Sequence, residues 1–185
     1  MSLLAESRME EAKAEIVRIQ QLGLCEGTRI MLWEQWLLCG IKGAGESLSE
    51  VTVNEALRHL SARGQAHLLD LAACSCFMRP VGNQLLSVAD RLSERALAMA
   101  PQSPTLQGTR ASVLAELGRD AEAESLLQPV FDSSPAGINR RYSALYLAII
   151  SARRGDPTRA TELARIARDA EGDSYVSDRL KAAGL

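Results

Sequence analysis

Apolar positions recur at spacings of three and four along almost the whole chain, which is the mark of one buried stripe on a helix. Met9, Ala12, Ile16 and Ile19 make the first stripe, followed by Gly23 and Gly27. The pattern predicts a second helix over about 28–39, ending at Gly40, and then a loop over 42–49 holding Gly43 and Gly45. A third helix is predicted over roughly 50–62, stopped at Gly64, and a fourth over 65–78, ended before Pro80. Leu85, Ala89, Leu92, Ala96 and Met99 give a fifth, stopped by Pro101.

Punctuation sharpens towards the C-terminus. Ser103 is a candidate N-cap with Pro104 at the first helical position, where its missing N–H costs nothing. That helix ends at Gly118, and the next runs over about 120–132 and stops before Pro135. Another covers 139–154 and ends at Gly155. Asp156-Pro157 repeats the cap-plus-proline start of a helix reaching Ala170, and a short last helix begins near Tyr175. No segment alternates with the period of two that marks a half-buried strand. The expected class is all-α, with about nine or ten helices.

Composition agrees with helix. Hydrophobic residues make up 46% of the 185 positions and aromatics only 4%, so alanine and leucine carry the apolar content. A chain of this length buries about two-thirds of its unfolded surface, enough for one domain or one short repeat array. The formal charge of −2 predicts no general attraction to nucleic acid or anionic lipid. Residues 1–50 carry five basic and eight acidic side chains, and residues 136–185 carry nine and six. The longest apolar run, around residues 30–41, is broken by Glu34 and Gln35 and falls short of the ~18 residues of a membrane span.

Cys25, Cys39, Cys74 and Cys76 sit in apolar runs without framework spacing. They read as buried free thiols of a reducing, cytoplasmic compartment. No signal peptide is visible, because Met1–Leu4 leads directly into charge. Met1-Ser2-Leu3 also fits an added leader, in which case the chain is a piece of a longer protein and the compartment is open.

An internal repeat underlies the helix pattern. Pro101 and Pro135 are 34 residues apart, as are Ala89 and Ala123, Leu92 and Leu126, Ala96 and Val130, and Leu97 and Phe131. The next interval is 37: Gly118 to Gly155, Ala123 to Ala160, Leu126 to Leu163 and Val130 to Ala167. The three extra residues fit the turn between Pro135 and Asn139, where lengthening costs little entropy.

This period resembles the tetratricopeptide repeat, a helix-turn-helix of the same length. In the copy from Pro104 to Pro135, Ala111 matches the small residue of the first helix and Gly118 the turn. Ala123 matches the small residue where the helices cross, and Pro135 the terminal proline. The copy from Arg141 keeps Leu147, Ala148, Gly155, Ala160 and Ala167. Gln107 and Arg110 depart from the usual aromatic and leucine, and Gly172 stands where proline is expected. The resemblance covers about Asn83 to Ala170.

It implies a right-handed α-solenoid of antiparallel helix hairpins forming one continuous domain. Residues 1–80 would be degenerate hairpins completing the stack, 81–172 the repeats, and 173–185 a C-terminal capping helix. It also implies that the first helix of each hairpin lines a concave face. By position that face presents Thr105, Gly108, Ser112 and Glu116 from one copy, and Tyr142, Leu145, Ile149 and Arg153 from the next. Such a mixed strip suits an extended or helical peptide.

Catalytic chemistry has little to start from. Cys74 and Cys76, with His59 and His67, are the only metal-like grouping, and two residues apart on a helix the thiols diverge. The stretch from Gly40 to Gly45 lacks the ending of a phosphate cradle. Two histidines and no nucleophile motif leave no acid–base machinery, so no enzyme, metal or cofactor is expected. Trp33 and Trp36, three apart, read first as core packing between the N-terminal helices and second as an aromatic anchor. Arg140-Arg141 and Arg153-Arg154 read as solvated helix ends.

The expected function is a protein–protein interaction scaffold that binds a peptide or partner segment in a concave helical groove. A small chaperone of a secreted or assembling protein is one alternative. A regulatory or dimerisation domain of a larger enzyme or membrane protein is another, and self-association fits either.

Overall fold

The computed structural model describes residues 3–80, 84–168 and 173–185. They form ten α-helices and one 3₁₀ turn, with no strand among the described residues. The helices are α1 (Leu3–Gln20), α2 (Glu26–Ala44), α3 (Glu50–Leu57), α4 (Ala62–Phe77) and α5 (Leu86–Met99). They continue as α6 (Pro104–Glu116), α7 (Asp120–Ser133), α8 (Ile138–Arg153), α9 (Pro157–Ala167) and α10 (Ser174–Ala182). Asn83, Ala170 and Gly172, named in the sequence comparison with the repeat family, lie outside the described residues. No helix among the described residues is long and apolar enough to cross a membrane.

Successive helices pair most extensively: α4 with α5, α6 with α7, and α8 with α9. Each pair touches the next through α5–α6 and α7–α8. The first helices of the three pairs also meet directly, α4 against α6 and α6 against α8. In the N-terminal part α2 packs on α1, α3 and α4. One apolar core runs from Ile16 to Leu180.

The turns of the two C-terminal pairs are built alike. Gly118 (φ +75°) and Gly155 (φ +77°) each adopt the left-handed conformation that favours glycine. The Gly118 N–H donates to Ala115 O and the Arg119 N–H to Leu114 O, at 3.1 and 2.9 Å. Gly155 donates to Ala152 O and Asp156 to Ser151 O at 3.1 and 3.0 Å, the same bonds 37 residues on. This double closure satisfies helix-end carbonyls and reverses the chain within three residues.

The recurrent alanines share surroundings of one kind. Ala89, Ala111, Ala123, Ala148 and Ala160 are all fully buried. Small side chains there let helix axes approach the ~8–10 Å limit of helix packing. Ala123→Leu is expected to overpack its crossing and lower stability by roughly 1–3 kcal/mol. Chemical denaturation followed by circular dichroism measures this; an unchanged midpoint would place the crossing elsewhere.

Several boundaries differ from the sequence expectation, for identifiable reasons. α2 does not stop at Gly40 but runs on to Ala44 and caps at Gly45 (φ +56°). Gly40 is a close approach: a Cβ there would meet Met9 Cε at 3.1 Å and Thr52 Cγ2 at 3.3 Å. Gly64 does not end a helix either. It lies in the first turn of α4, its N–H donates to Ser61 Oγ, and a Cβ would meet Glu26 Oε1 at 2.8 Å. Asp156 caps α9 as expected, accepting from the Arg159 N–H at 3.0 Å. Ser103 makes no side-chain cap bond on α6. Arg110 departs from the repeat family's leucine yet is buried, paired with Asp90 and donating to Ser93 Oγ.

Candidate functional site

The inner helices α4, α6 and α8 bring together residues far apart in sequence. Thr105, Gly108, Thr109 and Ser112 recur at spacings of three and four along α6 and so share one face. Cys74 and Phe77 of α4 flank that face on one side, and Ile138 and Tyr142 of α8 on the other. Between them lies a mostly apolar cleft of about 170 Å³. Gly108 forms its floor: a Cβ built there would find no atom within 4 Å.

A second cleft, of about 810 Å³, runs from Glu26 and Ile30 of α2 past Arg63 and His67 to Met99 and Leu106. Both clefts are lined by Asp70 and Thr105, so they meet at that point. Asp70 is only 5% exposed, and its Oδ1 has no hydrogen-bond partner. Burial raises its pKa; the Thr109 hydroxyl and the charge of His67 act in the opposite direction.

The thiols are less alike than the sequence suggested. Burial, aided by the charge of Asp70, pushes Cys74 up to about 12, and burial pushes Cys76 up to about 11. Neither supplies a thiolate nucleophile at neutral pH. Cys25 and Cys39, expected inside, are exposed instead. Cys25 sits just ahead of α2, and its pKa is lowered by the hydrogen bond with Thr28. His67 is exposed, whereas His59 lies against Trp33. Among the described residues no three His, Cys, Asp or Glu side chains converge as metal ligands would.

The other end of the inner face is occupied by α10, which packs on α8. Arg179 forms an ion pair with Glu116 at 2.8 Å, their side chains 6% and 11% exposed. Glu116 also accepts from the Tyr146 hydroxyl at 2.9 Å and from Gln84 Nε2 at 3.0 Å. Tyr146 in turn hydrogen-bonds Tyr175. Arg179 reaches the carbonyl of Phe77 on α4, so its side chain bridges α4 and α6. Asp173 caps α10 and binds both Arg141, at 2.7 Å, and the Tyr142 hydroxyl, at 3.2 Å. Burial pushes Tyr142 up to about 12, and the charge of Asp173 adds to this.

The residues expected on a concave face therefore divide. Thr105, Ser112 and Tyr142 line the small cleft between α4, α6 and α8. Glu116, Ile149 and Arg153 line a separate cleft of about 370 Å³ beside Arg179 of α10. Leu145 is fully buried and offers no surface, and Ser112 and Ile149 expose little. Arg153 is held by Asp120 and by the carbonyl of Ala115.

Of the two arginine pairs, Arg140 and Arg141 are half-buried, whereas Arg153 and Arg154 are exposed at the C-terminal end of α8. Arg140 lies over the Phe131 ring at 4.2 Å, Arg141 binds Asp173, and Arg154 pairs with Glu124. Trp33 and Trp36 are both buried, and Trp36 Nε1 donates to Met9 O at 2.9 Å. Sequence reasoning missed Asp70, Phe77 and Ile138. The available signal was Asp70 itself, the one acidic residue of α4, set between Leu69 and Leu71.

The chain finds no match among protein-family models, curated proteins or solved structures. The repeat resemblance thus rests on the residues and offsets alone.

Proposed function

We propose that this chain is a tetratricopeptide-like scaffold that holds an extended segment of a partner protein across α4, α6 and α8. The observation that carries this reading is the joined pair of clefts running from Glu26 to Tyr142 over the bare floor at Gly108. Ligand sites are concave and mainly apolar, with a few placed polar groups, and this strip has that character. Ile138, 66% exposed at its rim, adds apolar surface beside it. The equal turns at Gly118 and Gly155, and the direct contacts α4–α6 and α6–α8, support stacking of hairpins in register.

Gly108→Phe tests the groove. A Cβ at Gly108 would meet no atom within 4 Å, and replacing a mid-helix glycine favours the helix by a few tenths of a kcal/mol or more. The variant should keep its helicity and melt no lower than the parent. Peptides selected from a random library on the parent chain should bind it at least about tenfold more weakly. Equal binding by the variant would move the site off this face.

A further inference from the structure

Resting on the scaffold reading, we propose that Asp70 is the acceptor for a lysine or arginine side chain of the bound segment. That side chain would enter the apolar cleft between α4, α6 and α8.

Asp70 sits amid Leu68, Leu69, Ala72 and Ala73, all fully buried. A buried carboxylate is costly unless it is paired and hydrogen-bonded. Other buried or half-buried carboxylates have such partners, as Glu116 has Arg179, Tyr146 and Gln84, and Asp90 has Arg110. Asp70 has only the Thr109 hydroxyl: its Oδ1 is without a hydrogen bond, and among the described residues no cation pairs with its carboxylate. Asp70 lines both clefts where they meet, and among the described residues it is the only charged one lining the smaller.

The cleft complements a long cationic side chain. Phe77, Met78 and Tyr142 offer an apolar sleeve for the methylenes, and lysine and arginine bury such stems readily while the head keeps a polar partner. The Tyr142 ring adds a face attractive to a cation. An acidic side chain would meet Asp70 without compensation, and an apolar one would leave the carboxylate unpaired.

The groups around Asp70 are His67 and Cys74 on its own helix and Thr109 on α6; Glu26 of α2 and Arg63, also of α4, line the larger cleft with it. Burial raises the pKa of Asp70 above the ordinary aspartate value of 3.8. The folded state therefore holds the proton more tightly than the unfolded state. Stability attributable to Asp70 is lost as pH rises from below that value through the folded pKa.

The experiment uses the full chain and peptide libraries with randomised flanks and a fixed central residue: lysine, arginine, methionine or glutamate. The parent chain should retain the lysine and arginine libraries at least about tenfold better than the methionine library, with glutamate weakest. Asp70→Asn should erase that preference while still binding the methionine library. It should also melt higher than the parent at neutral pH, with the gain vanishing in acid. No advantage for a basic centre, or an Asp70→Asn variant that unfolds or melts lower at neutral pH, would overturn the proposal. In the first of these cases the scaffold reading stands provided Gly108→Phe still abolishes capture. Failure of every library to bind the parent would overturn both.

Discussion

Arg179→Ala is expected to destabilise the fold by about 3–5 kcal/mol, the range for breaking a buried ion pair by removing one partner. The size comes from what is left behind. Glu116 stays beneath α10 with two neutral donors, Tyr146 and Gln84, and without its cation. The truncation also removes the contact with the Phe77 carbonyl and the cation lying 5.3 Å over the Tyr175 ring. Urea denaturation followed by circular dichroism measures the loss. Replacing both partners, Glu116→Gln with Arg179→Met, should cost much less than the single truncation, because no lone charge is buried. A double variant as unstable as the single one would show that α10 docks through its shape and not through this pair.

Trp33→Ala should cost a similar amount, about 3–5 kcal/mol, as a large aromatic side chain removed from a tight core. Trp33 is 0% exposed. Its ring stacks on His59 at 4.6 Å with an interplanar angle of 2°, and meets Trp36 edge-on at 5.4 Å. The cavity would open where α2 meets α3, so the loss should be concentrated in the N-terminal helices. Limited proteolysis should then cut within α1–α3 before it cuts α6–α9. Because the chain has two tryptophans, Trp36 becomes the sole fluorescence reporter in this variant and should shift towards the emission of exposed indole. A variant that melts within 1 kcal/mol of the parent would mean that this contact has been misjudged.

Helix existence was legible almost throughout, and boundaries were legible where glycine and proline act through the backbone. Gly118, Gly155 and Pro157 did what their chemistry dictates, so α6–α9 fall close to expectation. Gly40 and Gly64 misled because they serve close approaches by Met9 and Glu26, side chains of other helices. That kind of glycine looks identical in one dimension. The third helix starts at Glu50 as expected but ends at Leu57 and not near residue 62, since Ser61 already caps α4.

The site was legible in part. The repeat offset pointed to Thr105, Ser112 and Tyr142, and these three line one cleft. It placed Leu145, Ile149 and Glu116 beside them, where in fact α8 and α10 close over the surface. The reason is α10, whose docking depends on Tyr175 and Arg179 meeting Tyr146 and Glu116. No local pattern encodes a meeting of side chains so distant in sequence. Asp70 was missed because α4 carries no repeat pattern to index it.

The clasp of Arg179 on Glu116 changes how the helix pairs should come apart. Stacked hairpins touch only their neighbours, so their ends ordinarily unzip first and independently of the middle. Here peeling α10 away strips a charge from the interior of α6, and it breaks a contact with α4, 102 residues upstream. The terminus behaves as a keystone rather than a loose rim, and its opening is coupled to that of the centre.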